Sequence, residues 1–190
     1  MLDQRTTVTS TKPARVLVTY STAAGSTAGI AERIGQVLAA AGCTVQCLPA
    51  SAVPDVEGVD ALVEGSAVHD MAWLAPSADV LRRAAVSGPP AVWCFSVGGV
   101  RPHGRLTRAL AALEVRRVGQ QFPVDLRVRD HRLFGGVVEL ADVPLWGRLF
   151  FRMIGGKAGD RRDWAAVEAW ATGIADSLTE SGHLPSTGTR

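Results

Sequence analysis

Lysine is nearly absent from this sequence, with Lys12 and Lys157 standing among a large majority of arginines, and Tyr20 is its only tyrosine. Cysteine is sparse too: Cys43, Cys47 and Cys94 make an odd count without CxxC spacing, so neither a disulfide framework nor a zinc site is indicated. If Cys43 and Cys47 share a strand they stand ~13 Å apart, beyond the ~7 Å a disulfide tolerates, and reduced, buried thiols are expected. No run reaches the ~18 apolar residues that span a bilayer, and residues 1–12 lack the apolar centre of a signal peptide. These absences lead us to expect a cytoplasmic protein. A formal net charge of only +2 gives no reason to expect a nucleic-acid partner.

What is present is globular composition, with 47% hydrophobic and 20% charged residues, in a length that suits one domain. Polar residues 1–13 and the Ser/Thr/Gly/Pro tail 181–190 cannot bury enough apolar surface to order themselves, which leaves 14–180 as the domain proper. Arg15-Val-Leu-Val-Thr-Tyr20 reads as a buried strand running into a loop. Ile30, Ile34, Val37, Leu38 and Ala41 follow at helical spacing, and Gly42 supplies a left-handed stop. The alternation continues with strands at 44–48 and 59–65, a helix at about 74–86, the apolar run 91–96, and a helix around 106–115. A strand at 133–140 and a last helix from Asp163 that buries Trp164, Val167, Trp170, Ile174 and Leu178 complete it. Such alternation predicts a parallel sheet covered on both faces, and the alternating segment 122–128 is a candidate for an added strand.

Ligands of open parallel sheets lie beyond the carboxyl ends of the strands. The first such loop is Ser21, Thr22, Ala23, Ala24, Gly25, Ser26 and Thr27: four hydroxyls, a glycine and the start of a helix in one turn. Backbone N–H groups and the helix dipole favour an anion there. The turn has no Lys or Arg, so it is neither a GxxxxGK[ST] nor a GxGxxG loop, and a phosphate monoester held by neutral donors is expected. The plainer reading is a Ser/Thr-rich N-cap. Two more loops, Ser66-Ala67-Val68-His69 and Ser96-Val97-Gly98-Gly99, open with a small hydroxyl residue where backbone can approach a flat ring. A phosphate turn followed by two such loops suits FMN.

The run Val16–Leu38 resembles the phosphate loop and first helix of flavodoxins. Gly65-Ser-Ala-Val-His69 through Trp73, Trp93-Cys-Phe-Ser96, Phe134-Gly-Gly136 and Gly159-Asp-Arg-Arg-Asp-Trp164 are together similar to the flavodoxin-domain branch that contains the menaquinone-dependent protoporphyrinogen IX dehydrogenases. That resemblance implies an α/β flavodoxin-like fold, a five-stranded parallel sheet in order 2-1-3-4-5 with helices on both faces. It implies that Ser21 to Thr27 cradle the FMN phosphate, that Ser66 to His69 line one side of the isoalloxazine, and that Ser96 to Gly99 line the other. The activity it implies is an FMN-dependent oxidoreductase that passes electrons between a reduced substrate, a tetrapyrrole in that branch, and a quinone or redox partner protein. A one-electron carrier and a flavodoxin-fold binding module without flavin are the alternatives. No residue stands out as a catalytic acid or base.

Three side readings complete the sequence picture. His69 stands where an aromatic clamp is expected, and Trp73 either stacks on the ring or anchors the helix it opens. The stripe Leu145, Trp146, Leu149, Phe150, Met153 and Ile154 within 144–156 is either a packed amphipathic helix or a lid that meets a quinone, a tetrapyrrole or the inner face of the membrane. Eight arginines between Arg101 and Arg132 form a local cationic excess suited to an anionic partner. Asp160 and Asp163 are expected to cap the last helix.

Overall fold

The computed structural model describes residues 12–87, 91–98, 105–138 and 159–180. Gly99, the stripe at 144–156 and both chain ends lie outside the described residues. The elements are β1 (Arg15–Ser21), α1 (Ser26–Ala40), β2 (Thr44–Pro49), β3 (Ala61–His69), β4 (Ala72–Trp73), α2 (Ala75–Ser87), β5 (Val92–Gly98), α3 (Arg105–Gly119), β6 (Val128–Gly135), β7 (Val137–Val138), β8 (Gly159–Asp160) and α4 (Trp164–Glu180). Five strands run parallel in the order β2-β1-β3-β5-β6, while β4 pairs antiparallel with the end of β3. With β4 set aside this is the expected 2-1-3-4-5 order. β7 and β8 form a separate antiparallel pair.

The central strands are buried on both sides because alternate residues serve two cores. Val16, Val18, Val63, Trp93, Phe95 and Phe134 face Ile30, Ile34 and Leu38 of α1 and Val167, Trp170, Ile174 and Leu178 of α4. Leu17, Leu62, Val92 and Cys94 face Val80, Leu81 and Ala84 of α2 and Val118 of α3. α1 stops where Gly42 turns left-handed, with φ 95°, and donates to Ala39 O at 3.0 Å while Cys43 N reaches Leu38 O at 3.1 Å. This double bond pattern is a Schellman stop.

Several expectations are corrected. The segment 122–128 forms no added strand: turn bonds from Leu126 N to Pro123 O (3.1 Å) and Val128 N to Leu126 O (3.2 Å) curl it, and Phe122 and Leu126 pack onto the α2 side of the core. The strand expected at 133–140 lies at Val128–Gly135, because its pairing with β5 begins at Val92↔Val128. Trp164 is 37% exposed, unlike the four other apolar residues predicted to be buried in that helix. Cys47 is only half-buried, whereas Cys43 and Cys94 are buried, and all three are free thiols.

Candidate functional site

β1 ends at Ser21 and α1 begins at Ser26, which places the connecting turn at the carboxyl edge of the sheet next to its middle strand. Gly25 closes the turn with φ 83°, a left-handed conformation that a side chain would strain. The Thr22 hydroxyl accepts the Gly25 N–H at 2.8 Å, so its own proton stays available to donate outward. Among the described residues no side chain caps the helix, and its first turn holds no acidic residue. The N-cap reading of this turn therefore fails in its own terms: the hydroxyls are present and do not cap. Thr27, in that first turn, is fully buried, and its Oγ1 has no hydrogen-bond partner among the described residues. Such an atom normally costs ~1–3 kcal/mol unless something answers it.

The hydroxyls of Ser21, Ser66 and Ser96 are committed elsewhere. Ser21 lies 2.8 Å from the Ser77 hydroxyl of α2, which also lies 2.9 Å from Gly65 O. Ser66 to His69, expected as a loop, form the end of β3, and Ser96 to Gly98 form the end of β5. Ser66 Oγ donates to Ala67 O at 2.8 Å and accepts Leu74 N–H at 3.0 Å. Ser96 Oγ accepts the Trp73 indole N–H at 2.8 Å and lies 2.9 Å from His131 Nε2. Burial pushes His131 down to about 4, so its ring is neutral and Nε2 can take the serine proton. This pair has the spacing of a base and a nucleophile. Ser96 is nevertheless fully enclosed and receives the Trp73 N–H, so the arrangement pins Trp73 in place. Trp73 is thus an anchor, packed edge-on to Phe122 at 4.8 Å.

His69 points outward, its side chain 74% exposed and 3.6 Å from Asp70 Oδ2. It stands at the base of a tight hairpin, with pairs Val68↔Trp73 and His69↔Ala72, whose two corner residues, Asp70 and Met71, both have positive φ, 50° and 61°. At these two strand ends the groups left facing outward are half-buried Ala67, Val68 and Gly98 together with His69.

Two motifs that looked remote from the turn in sequence meet it in space. Gly136 donates to Gly98 O at 3.0 Å, and a Cβ there would stand 3.1 Å from Ser26 Oγ and 2.9 Å from Val97 Cγ1. Arg161 N–H reaches Gly136 O at 3.1 Å, and Arg161 O fits only because Gly135 has no side chain, a Cβ there standing 2.5 Å from it. Asp163 caps α4 through Ala166 N–H at 3.1 Å, as expected. Asp160 does not cap: its carboxylate holds the Arg162 guanidinium, with Nη2 at 2.6 Å, and those hydrogen bonds lower it to about 2. Arg162 is the residue that the sequence reading missed, and the GDRRDW motif was its only signal.

Beneath the turn lies a buried polar ladder. The Thr19 hydroxyl donates to Glu64 Oε2, while Glu64 Oε1 has no partner at hydrogen-bonding geometry among the described residues. Burial pushes the Glu64 carboxyl up to about 8, against the pull of Ser77, Thr19 and Arg83. Among the described residues no group of His, Cys, Asp and Glu could hold a metal ion, and no helix is long and apolar enough to cross a membrane.

Comparison with known proteins agrees with this architecture. The chain superposes on an archaeal flavodoxin with a TM-score of 0.54 at 17% identity, over 87% of this chain and 99% of that one. A short-chain flavodoxin associated with a PDU bacterial microcompartment gives 0.55 at 13% identity, over 90% and 99%. The rubredoxin oxygen:oxidoreductase of Desulfovibrio gigas gives 0.53 at 18% identity, over 90% of this chain but 37% of that longer one. No curated protein matches the sequence. The model of the flavodoxin domain family matches residues 17–164, most of the chain, and the chain belongs to that family.

Proposed function

We propose that the protein binds FMN by its terminal phosphate at Thr22–Thr27 and acts as an FMN-dependent oxidoreductase. The observation that carries this reading is the Thr27 hydroxyl, buried and unanswered in an uncapped first turn. A phosphate oxygen is the partner such a donor calls for, and a helix N-terminus without a side-chain cap favours the same guest. FMN, when bound, would supply the electron and hydride chemistry. The chain's part is to hold and orient. Thr22 and Thr27 donate to phosphate, Gly25 lets the backbone approach it, and the ends of β3 and β5 offer Ala67, Val68, His69 and Gly98 to a flat ring, while Val97 belongs to the core. Trp73, clamped by Ser96, fixes the spacing between those two strand ends.

Electron delivery from a reduced substrate such as a tetrapyrrole to a quinone or a redox partner is the finer form of this reading, and the similarity of the combined motifs supports it. A one-electron carrier is the second reading, supported by the near-complete coverage of two flavodoxins. Exposed Arg127, Arg129 and Arg132 beside β5 argue against the acidic docking face that suits low-potential shuttles.

The test is Thr27→Val with FMN and riboflavin titrations. Removing the hydroxyl should weaken FMN by roughly 10–100-fold, the worth of a hydrogen bond to a charged group, and leave riboflavin unchanged. The apoprotein should become no less stable, since a buried unpaired hydroxyl is lost. Equal weakening of both flavins would place the phosphate elsewhere.

A further inference from the structure

The phosphate turn has no cation of its own, yet the fold carries one to it. Gly135 and Gly136 seat the backbone of Arg161 against the end of β5 and beside Ser26, and the next residue, Arg162, lands on α1. Asp160 grips one edge of its guanidinium, taking Nε at 2.9 and 3.1 Å and Nη2 at 2.6 Å, and also accepts the Arg162 backbone N–H at 3.0 Å. The Trp164 ring lies 4.6 Å beneath. With that edge and face held, the remaining nitrogen, Nη1, projects away from Asp160 toward Gly29, where a Cβ would stand only 2.7 Å from it. Gly29 is one turn into α1, its N–H bonded to Gly25 O. Helical Cα–Cβ bonds tilt toward the N-terminus, so a group on Gly29 overhangs the first turn, about 5 Å along the axis from the phosphate loop. The first turn of α1 also holds the fully buried Thr27 hydroxyl, which has no partner among the described residues and calls for an acceptor at this helix end.

We propose that Arg162 is the phosphate-selecting residue of this site: the GDRRDW segment supplies in space the positive charge that the turn lacks in sequence, and Gly29 is the notch that admits it. The proposal rests on the FMN reading and concerns only how the phosphomonoester is told from the uncharged flavin. Asp160 and Trp164 are then positioning residues. They fix the guanidinium against the first turn of α1, and the reach of its charge toward the helix N-terminus is limited by a Debye length of ~8 Å at physiological salt.

The experiment measures dissociation constants of the purified full chain for FMN and riboflavin at low and high ionic strength, with inorganic phosphate as competitor. Arg162→Gln is expected to reduce the FMN-over-riboflavin preference about tenfold and to flatten its salt dependence, with Arg162→Lys recovering part of it. Gly29→Ala should lower the same preference by crowding Nη1, while the unfolding temperature holds or rises, because alanine is the better helix former. Reduced stability cannot produce that combination, so Gly29→Ala decides the matter even if Arg162→Gln folds poorly. A wild-type preference for FMN that survives undiminished in Gly29→Ala and Arg162→Gln would overturn the role of Arg162 and leave the FMN reading intact. A wild type that binds FMN and riboflavin alike, or neither, would overturn both.

Discussion

Glu64 stands in the middle strand of the sheet, fully enclosed, with Thr19 beside it on β1, Cys94 on β5, and Ser77 and Arg83 on α2. Because burial holds its carboxyl up to about 8, the folded protein keeps a proton that the unfolded chain releases near 4.5. Stability from this group is therefore complete below 4.5 and lost as pH rises toward 8, at ~1.4 kcal/mol per pH unit. His131 runs the opposite way: kept neutral in the fold down to about 4, it costs stability as pH falls below its ordinary 6.5. From these two groups the stability profile should be flat between 4.5 and 6.5 and decline on either side. Glu64→Gln should then match or exceed wild type in denaturant unfolding at pH 8 and lose that advantage at pH 5. Parallel pH profiles for the two proteins would show that Glu64 is not held protonated.

At the scale of elements, the β3–β4 hairpin carries a local conflict. A two-residue turn with both corners at positive φ matches the twist of its strands, but it asks for Asn-Gly and receives Asp70-Met71. Left-handed backbone costs an L-residue ~1–2 kcal/mol, and Gln121 Nε2 donating to Met71 O at 2.9 Å helps to hold it. Replacing Asp70-Met71 by Asn-Gly should raise the melting temperature by about 2–5 °C. An unchanged or lower value would mean that the Met71 side chain contributes more than its backbone costs. This hairpin also marks where the sequence stopped being legible. Helices α1, α2 and α4 were readable from apolar spacing, and Gly42 and Asp163 marked a stop and a start. The extension of β3 through His69 depends on pairing with Ala72 and Trp73, which no local pattern announces. β6 was misplaced because it is an edge strand whose Arg129, Asp130 and Arg132 hide its period. Of the candidate site, the turn 21–27 was legible as a strand-to-helix connection; the approach of Gly136 to Ser26 and of Arg162 to Gly29 was not, since contacts between distant segments leave no trace in spacing.

Over the whole molecule a small net charge conceals an uneven surface. Arg116 and Arg117 at the end of α3, Arg127 just before β6, and Arg129 and Arg132 along β6 are all exposed, which protects the open sheet edge and offers a cationic face. Binding to vesicles of anionic lipid should weaken steeply between 0.05 and 0.5 M salt, taken as a rough range around the ~8 Å screening length, and fall further in Arg127→Glu with Arg129→Glu. Binding indifferent to salt would leave these arginines only the task of guarding the edge. The sheet's other distinctive feature is that its most apolar face is closed by the last helix: Trp170 lies 6.1 Å from Phe95 and 5.6 Å from Phe134, ring to ring, while α4 also packs on α1. During synthesis at ~5–20 residues per second, the stretch from Phe95 to Leu178 takes roughly 4 to 17 s to emerge. For that interval the apolar face that Trp170 later covers has no α4 against it, so the nascent chain should be most prone to aggregation before that helix is made.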